Sequence, residues 1–147
     1  MNMIKRVWLL ASIIAGSFLL CASPLQAAEV QYQLSTHILD ISQGRPAGNV
    51  DIELYRLDAE GKQENWNLVG KGTTDKDGRI KTFLEQQTGK DNSGIYKLKF
   101  LTQPYFKNQQ QQSFYPFIEV VFQVEGSAHY HVPITLSNFG YSTYRGS

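Results

Sequence analysis

Hydrophobic and polar residues alternate along much of this chain, and the alternation predicts β-strands. In four segments an aliphatic or aromatic side chain recurs at every second position, which places these side chains on one face of a strand. Those segments are 50–55, 96–100, 118–125 and 130–136. Shorter strand candidates are 34–40, 66–73, 79–84 and 141–145. Turn-forming residues separate them, at 43–46, 59–62, 75–78 and 89–92.

About eight short strands at nearly regular spacing indicate an all-β sandwich or barrel. One helix is predicted, over Pro104–Gln111. The chain has 147 residues, enough for about one domain. We find no internal repeat and no long linker, so a single β domain accounts for the strands.

The N-terminal segment has the layout of a secretory signal. Lys5 and Arg6 precede an apolar run, Val7–Leu20, and small residues follow up to Ala27 and Ala28. The run is shorter than the roughly 20 residues of a membrane-spanning helix, so an uncleaved anchor is the weaker interpretation. We expect residues 1–27 to be a cleaved signal peptide, although cleavage after Ala28 is an alternative, and residues 28–147 to form the mature domain.

The signal predicts export, to the periplasm of a bacterium, with no membrane attachment once it is removed. Cys21 raises a lipoprotein alternative, but Leu20 before it is bulkier than the small residue that such processing prefers. Cys21 is also the only cysteine. The mature chain would therefore contain no thiol, which excludes cysteine catalysis and disulfide stabilisation.

The charge balance argues against a nucleic-acid partner. The sequence has 14 Lys and Arg against 13 Asp and Glu. Removal of the signal takes away two basic residues and leaves a net charge of about −1. A nucleic-acid-binding domain usually carries a concentrated excess of basic residues.

The three histidines are the first candidates for chemistry, because histidine alone has an ordinary pKa near neutrality. His129 and His131 lie two residues apart, so they share the strand face opposite the predicted core residues, and His37 lies near the start of the domain. Three interpretations stay open at this point. The histidines are surface residues without a role, or a three-histidine zinc site, or acid–base catalysts without a metal.

Acid–base catalysis at a carbonyl needs a cation that stabilises the developing oxyanion. Arg79 follows the Asp77-Gly78 turn at the start of a predicted strand, and it is the natural candidate, unless it is an ordinary solvated arginine. Arg145, preceded by Tyr141 and Tyr144, lies in a candidate strand that runs almost to the last residue. Because chain termini normally fray, either a contact holds this tail in place or the tail is disordered.

Three motifs in this order resemble those of one family. They are LSTHILDISQGRPAGNV, TTDKDGRI and the tail HYHVPITLSNFGYSTYRGS, with SFYPFIEVVF as the strand before the tail. Together they span Leu34 to Ser147 and resemble the 5-hydroxyisourate hydrolases, the transthyretin-related enzymes of urate breakdown. The early STH and the terminal YRGS distinguish the enzymes from transthyretin, the hormone carrier of the same fold. Ile134-Thr135 and Asn138 depart from the family pattern, but none of them is a polar site group.

The resemblance implies a transthyretin-like sandwich of two four-stranded sheets with one short helix. It also implies a homotetramer whose active sites lie in a channel between subunits. The implied reaction is hydrolysis of 5-hydroxyisourate, a ureide derived from a purine, to 2-oxo-4-hydroxy-4-carboxy-5-ureidoimidazoline, without a metal or an organic cofactor.

The residues that match the family's catalytic set are His37, Arg79 and His131. The histidines would position or deprotonate water, and Arg79 would polarise the carbonyl or hold the anionic substrate.

His37 and Arg79 would also bind substrate, together with residues of the tail: Tyr144, Arg145 and Ser147. His129 is expected to support the site without contacting substrate. The rival interpretation is a non-catalytic periplasmic module that binds a ligand on a transthyretin-like fold.

Overall fold

The computed structural model describes residues 29–58 and 64–147, so the predicted signal peptide lies outside the described residues. The described part contains ten strands and one helix. These are β1 (Tyr32–Asp40), β2 (Arg45–Pro46), β3 (Asp51–Asp58), β4 (Asn65–Thr73), β5 (Arg79–Glu85), β6 (Gly94–Phe100), α1 (Thr102–Asn108), β7 (Ile118–Val124), β8 (Tyr130–His131), β9 (Ile134–Ser137) and β10 (Gly140–Thr143). Among these residues no helix is long and apolar enough to cross a membrane.

The strands form two sheets. One sheet is antiparallel, with the order β4-β3-β6-β7. In the other, β1 pairs with β5 and β2 on one edge and with β8 and β9 on the opposite edge, and β10 pairs with β9. If β8 and β9 count as one interrupted strand, this sheet also has four main strands, with β2 as a two-residue addition. The predicted sandwich of two four-stranded sheets with one short helix is confirmed.

The core lies between the sheets and is built by the alternation that the sequence shows. In β1, Leu34, Thr36 and Ile38 are fully buried, whereas Ser35 and His37 between them are only half-buried. The sheet of β3 and β6 meets β1 with its own alternating side chains, which include Ile52, Leu54, Leu98 and Phe100. Burial of each such side chain contributes about 1.5–3 kcal/mol. The outer face of β1 is thereby left for polar residues.

The predicted strand over 130–136 is interrupted. Pro133 separates β8 from β9, because proline has no backbone N–H to donate to a ladder. Both parts still run parallel to β1, with Ser35 opposite His131 and Ile38 opposite Ile134. The interruption therefore changes the hydrogen bonding without moving the segment away from β1.

The helix begins and ends earlier than predicted, at Thr102 and Asn108 instead of Pro104 and Gln111. Thr102 and Phe106 are four residues apart and buried, so they form its inner face. Pro104 fits because the first turn of a helix needs no N–H donors. Gln110 has a φ of 58°, a left-handed conformation that stops the helix before Gln111.

Two other boundaries differ from the prediction. The turn expected over 43–46 ends at Gly44, and Arg45 and Pro46 already pair with β1 as β2. The last strand ends at Thr143 instead of Arg145, although Gly146 makes a further isolated bridge.

The buried carboxylate of Asp40 joins the end of β1 to the helix. It accepts hydrogen bonds from Ser42, Gln43 and the Tyr105 hydroxyl. Burial by itself would raise the pKa of Asp40, but these hydrogen bonds outweigh it, so the pKa is lowered. The ionised carboxylate therefore holds the β1–β2 turn and α1 in place.

A core truncation tests the sandwich. We expect Leu98→Ala, at a position that is 0% exposed, to lower the free energy of unfolding by about 2–5 kcal/mol because it leaves a cavity. Ile95→Ala on the same strand, at a position that is 40% exposed, is the matched control and should cost less than half as much. Urea unfolding at one fixed protein concentration measures both. Equal losses would contradict the assignment of the core face of β6.

Candidate active site

Pairing of β1 with β5 brings His37 and Arg79 together. The two residues are direct cross-strand partners in the antiparallel ladder. The turn before β5 fixes this register, since the Asp75 carboxylate accepts the backbone N–H groups of Asp77 and Arg79, each at 2.9 Å. Arg79 therefore begins its strand opposite the imidazole.

Gly78 in the same turn is required by space and by conformation. Its φ is +70°, a left-handed value that other residues adopt at a cost. A Cβ at this position would lie 2.6 Å from the carbonyl oxygen of Ile38. The Gly78 carbonyl in turn accepts the Ile38 N–H at 2.9 Å. The Asp77-Gly78 turn that the sequence indicates thus packs closely against β1, and this contact sets the position of Arg79.

The other edge of β1 adds two histidines. His131 is the parallel partner of Ser35, and His129 lies two residues earlier. The Ser35 hydroxyl is 2.9 Å from His129 Nε2 and 2.9 Å from His131 Nδ1. Val132 is buried, whereas His131 is half-buried and His129 exposed. The prediction that both rings share the face away from the core is confirmed.

Burial and charge lower the pKa values of two imidazoles at the site, those of His37 and His131. Burial is the largest cause that lowers the pKa of His37, and the Arg79 charge is the next. Hydrogen bonding to the Asp77 backbone and the charge of Asp75 oppose these effects only in part. Burial also lowers the pKa of His131, followed by the charges of Arg79, His37 and His129. The influence of Arg79 on both rings shows that the three groups form one electrostatic cluster.

The Arg79 guanidinium has no ion-pair or hydrogen-bond partner among the described residues. Of the two acidic residues in its own turn, Asp75 accepts two backbone N–H groups and Asp77 pairs with Lys76. Arg79 is also exposed. A cation in this state is available to an anionic ligand or to a developing oxyanion.

The C-terminal segment packs against one edge of the His131 ring. Gly146 pairs with His131, and its N–H donates to the His131 carbonyl at 2.8 Å. A Cβ on Gly146 would lie 2.5 Å from Cδ2 of the His131 ring. Gly146 is therefore needed because the ring occupies the space of its side chain.

The register of this segment places two of the predicted tail residues beside β8 and Pro133. The offset that pairs Thr143 with Ile134 also pairs Gly146 with His131, so Tyr144 lies opposite Pro133 and Arg145 opposite Val132. Tyr144 and Arg145 lie after the end of β10, and both line one cavity beside β7.

Arg145 lies beside Tyr130. Its guanidinium carbon is 5.0 Å from the ring centroid of Tyr130, and it lines a cavity of about 460 Å³ beside β7. Ser147 follows the Gly146 bridge and is exposed. Within one chain, the structure therefore brings His37, Arg79 and His131 together, whereas Tyr144 and Arg145 line the cavity beside β7.

The zinc interpretation has no ligand set in the described part of the chain. Within residues 29–58 and 64–147 no group of three His, Cys, Asp or Glu side chains is arranged to hold a metal ion. The Nδ1 atoms of His129 and His131 face the Tyr32 carbonyl and the Ser35 hydroxyl, respectively.

Ser35 is the site residue that the sequence analysis missed. It lies two residues before His37 and therefore shares its face of β1, which is the signal that was available. It also lies where the β1–β5 register shifts between Leu34 and Thr36, and such bulges often occur beside functional sites. The complete cluster combines two neutral imidazoles, a hydroxyl and a free cation, which suits attack of water on a carbonyl.

The electrostatic cluster predicts a response to removal of Arg79. We expect the pKa values of His37 and His131 to lie below the ordinary value of about 6.5 and to rise in Arg79→Met, because the loss of a nearby cation favours imidazolium. Titration of the ring protons by NMR measures both. Lys81→Met, which removes an exposed cation two residues further along β5, is the control and should leave the pKa values of both histidines unchanged. Unchanged values in Arg79→Met would contradict the arrangement.

Comparison with known proteins gives a consistent result. The sequence model of the HIUase/Transthyretin family matches residues 34–146. A 5-hydroxyisourate hydrolase from Salmonella typhimurium is 39% identical over 141 residues, which cover 95% of this chain and 98% of that protein.

Two solved structures are also similar. The 5-hydroxyisourate hydrolase of Klebsiella pneumoniae has a TM-score of 0.63 at 35% identity, with 78% of this chain and 98% of that chain covered. Transthyretin from Sparus aurata has a TM-score of 0.70 at 33% identity, with 79% and 97% covered. Sequence, fold and these similarities agree: the chain belongs to the HIUase/Transthyretin family.

Proposed function

We propose that this protein is a hydrolase that opens the ring of 5-hydroxyisourate to give 2-oxo-4-hydroxy-4-carboxy-5-ureidoimidazoline. The observation that carries the proposal is the cluster of His37, Arg79 and His131 on one face, with two imidazoles of lowered pKa beside an unpaired guanidinium. The names of the similar bacterial proteins agree with it. A ligand carrier has no need for neutral bases beside a free cation.

In the proposed mechanism, water attacks a ring carbonyl of the substrate. His37 and His131 hold the water, and one of them accepts its proton as the new C–O bond forms. Arg79 stabilises the negative charge that develops on the carbonyl oxygen. The ring C–N bond then breaks, and the proton returns to the leaving nitrogen. Water is the only co-reactant that the reaction consumes.

Substrate binding draws on the same groups and on the tail. Arg79 holds the anionic ureide through its planar fork of N–H donors. Tyr144, opposite Pro133 in the register and two residues before the Gly146 bridge to His131, binds substrate from the tail. Arg145, which stacks on Tyr130, and the exposed Ser147 belong to the same tail and complete the binding set that we propose.

Activity measurements test the proposal. The purified protein should accelerate the loss of freshly generated 5-hydroxyisourate, followed by ultraviolet absorbance. His37→Ala and Arg79→Ala should lower kcat/KM by about 100-fold or more, because each removes a base or the oxyanion partner. The rate should fall on acidification with a midpoint below the ordinary histidine value of about 6.5, since the folded protein keeps His37 and His131 neutral to lower pH.

Lys81→Met serves as the matched control for Arg79→Ala and should retain the wild-type rate. A wild-type rate no faster than that of buffer would contradict the enzyme and favour the ligand-binding module. Activity that survives strong chelators fits a metal-free reaction. Activity that is lost in chelator and regained when zinc is added would support the zinc site instead.

We further propose that the protein is exported, with residues 1–27 removed, and that it assembles as a homotetramer in the periplasm. The layout around Lys5, Arg6 and the apolar run supports export. Large apolar side chains that are exposed in the single chain support assembly, and they lie on and near the edge strands: Phe114, Phe117, Val121, Phe139 and Tyr141.

Native mass spectrometry tests export and assembly together. Protein released from the periplasm of a host with two membranes should begin at Ala28 or Glu29 and have four times the mass of one chain. Val121→Lys, which puts a charge at a 58% exposed apolar position of β7, should shift it toward smaller species. Thr82→Lys on β5 adds the same charge at an exposed polar position and should leave the mass unchanged. An intact N-terminus or a monomer would contradict the respective proposal.

A further inference from the structure

We propose that Ser35 and His129 form a hydrogen-bond relay that fixes the tautomer of His131 and leaves its Nε2 free to accept a proton. The relay has three contacts. His129 Nδ1 lies 3.1 Å from the Tyr32 carbonyl oxygen, and the Ser35 hydroxyl lies 2.9 Å from both His129 Nε2 and His131 Nδ1. Its role in catalysis rests on the proposed function.

The direction of the relay follows from its first contact. A backbone carbonyl oxygen only accepts hydrogen bonds, so His129 Nδ1 must carry the proton that it donates to Tyr32. The Nε2 atom of a neutral His129 is then an acceptor. The Ser35 hydroxyl therefore donates to His129, and its lone pairs face His131.

His131 must complete the relay as a donor. Its Nδ1 faces the lone pairs of Ser35 Oγ, so Nδ1 carries the proton of the neutral ring. Nε2 of His131 is consequently left with its lone pair, which is the form that a general base needs.

The ring cannot easily leave this position. Gly146 lies against the Cδ2 edge, so closely that a Cβ there would come within 2.5 Å of Cδ2. Ser35 holds the Nδ1 edge at 2.9 Å. His131 is thus held from both sides, and Ser35 and His129 act through it as positioning residues.

The relay is not needed for the fold. Ser35 is half-buried and His129 exposed, and neither belongs to the hydrophobic core. Their side chains contact each other, His131 and one backbone carbonyl. A variant can therefore keep the fold and change only the tautomer of His131. Such a variant distinguishes a positioning role from a structural one.

Nitrogen NMR of the purified protein reads the tautomer directly. Protein labelled with ¹⁵N-histidine gives long-range proton–nitrogen correlations at about pH 8 that distinguish Nδ1–H from Nε2–H, and His131→Gln assigns the signals. Wild-type His131 should be the Nδ1–H tautomer. Ser35→Ala should shift it toward Nε2–H, and His129→Ala should give a mixture, because the Ser35 hydroxyl is then free to donate to His131.

Kinetics of the same variants give the second readout. Ser35→Ala should lower kcat about 10- to 100-fold, the range found for groups that orient a functional imidazole, with KM changed by less than about twofold. Ser35→Thr keeps the hydroxyl and should restore both rate and tautomer. Ser142→Ala removes a hydroxyl that bonds Thr135 on the same sheet and should change neither.

The outcomes separate the relay from the proposed function. A wild-type His131 in the Nε2–H form, or a Ser35→Ala protein with unchanged tautomer and kcat, would overturn the relay even if the enzyme is active. A wild-type protein without hydrolytic activity would overturn the proposed function, and the NMR spectra would still decide whether the relay exists.

Discussion

Two ladders of backbone hydrogen bonds hold β1 between β5 and the interrupted β8–β9 strand, and both the core and the site depend on them. Because side chains alternate along a strand, the register that buries Leu34 and Ile38 also turns Ser35 and His37 outward. A slip by one residue would expose the core and bury the imidazole. The hydrophobic effect therefore fixes the positions of the polar groups as firmly as it fixes the core.

The electrostatics of the site follow from what each charged group already contacts. Asp75 uses its carboxylate to shape the turn, so it accepts backbone N–H groups and leaves the Arg79 guanidinium unpaired. Burial and that free cation together disfavour a proton on His37 and His131. A carboxylate paired with Arg79 would neutralise the cation and favour imidazolium instead. The turn therefore leaves the cation free, and the cation adds to the effect of burial in lowering the pKa values of His37 and His131.

The C-terminal segment connects the end of the chain to the chemistry. Gly146 continues the β10 register up to His131 and has no side chain where the imidazole ring lies. The same register puts Arg145 opposite Val132, where its guanidinium stacks on Tyr130. A tail of this kind limits the movement of the ring on one side, while Ser35 limits it on the other.

The sequence by itself determined the strands, the shared face of His129 and His131, and the turn before Arg79, because period-two alternation and Asp-Gly turns are local properties of the chain. It did not reveal the break at Pro133, the position of Arg145 or the part played by Ser35. Pro133 was visible in the sequence, but that both parts of the strand still pair with β1 was not, and the position of Arg145 follows from the pairing of β10 with β9. The part played by Ser35 depends on its meeting residues more than 90 positions later, and only the sheet register decides that. A serine on a strand carries no signal of its own, and it gains a role only when the fold sets it between two imidazoles.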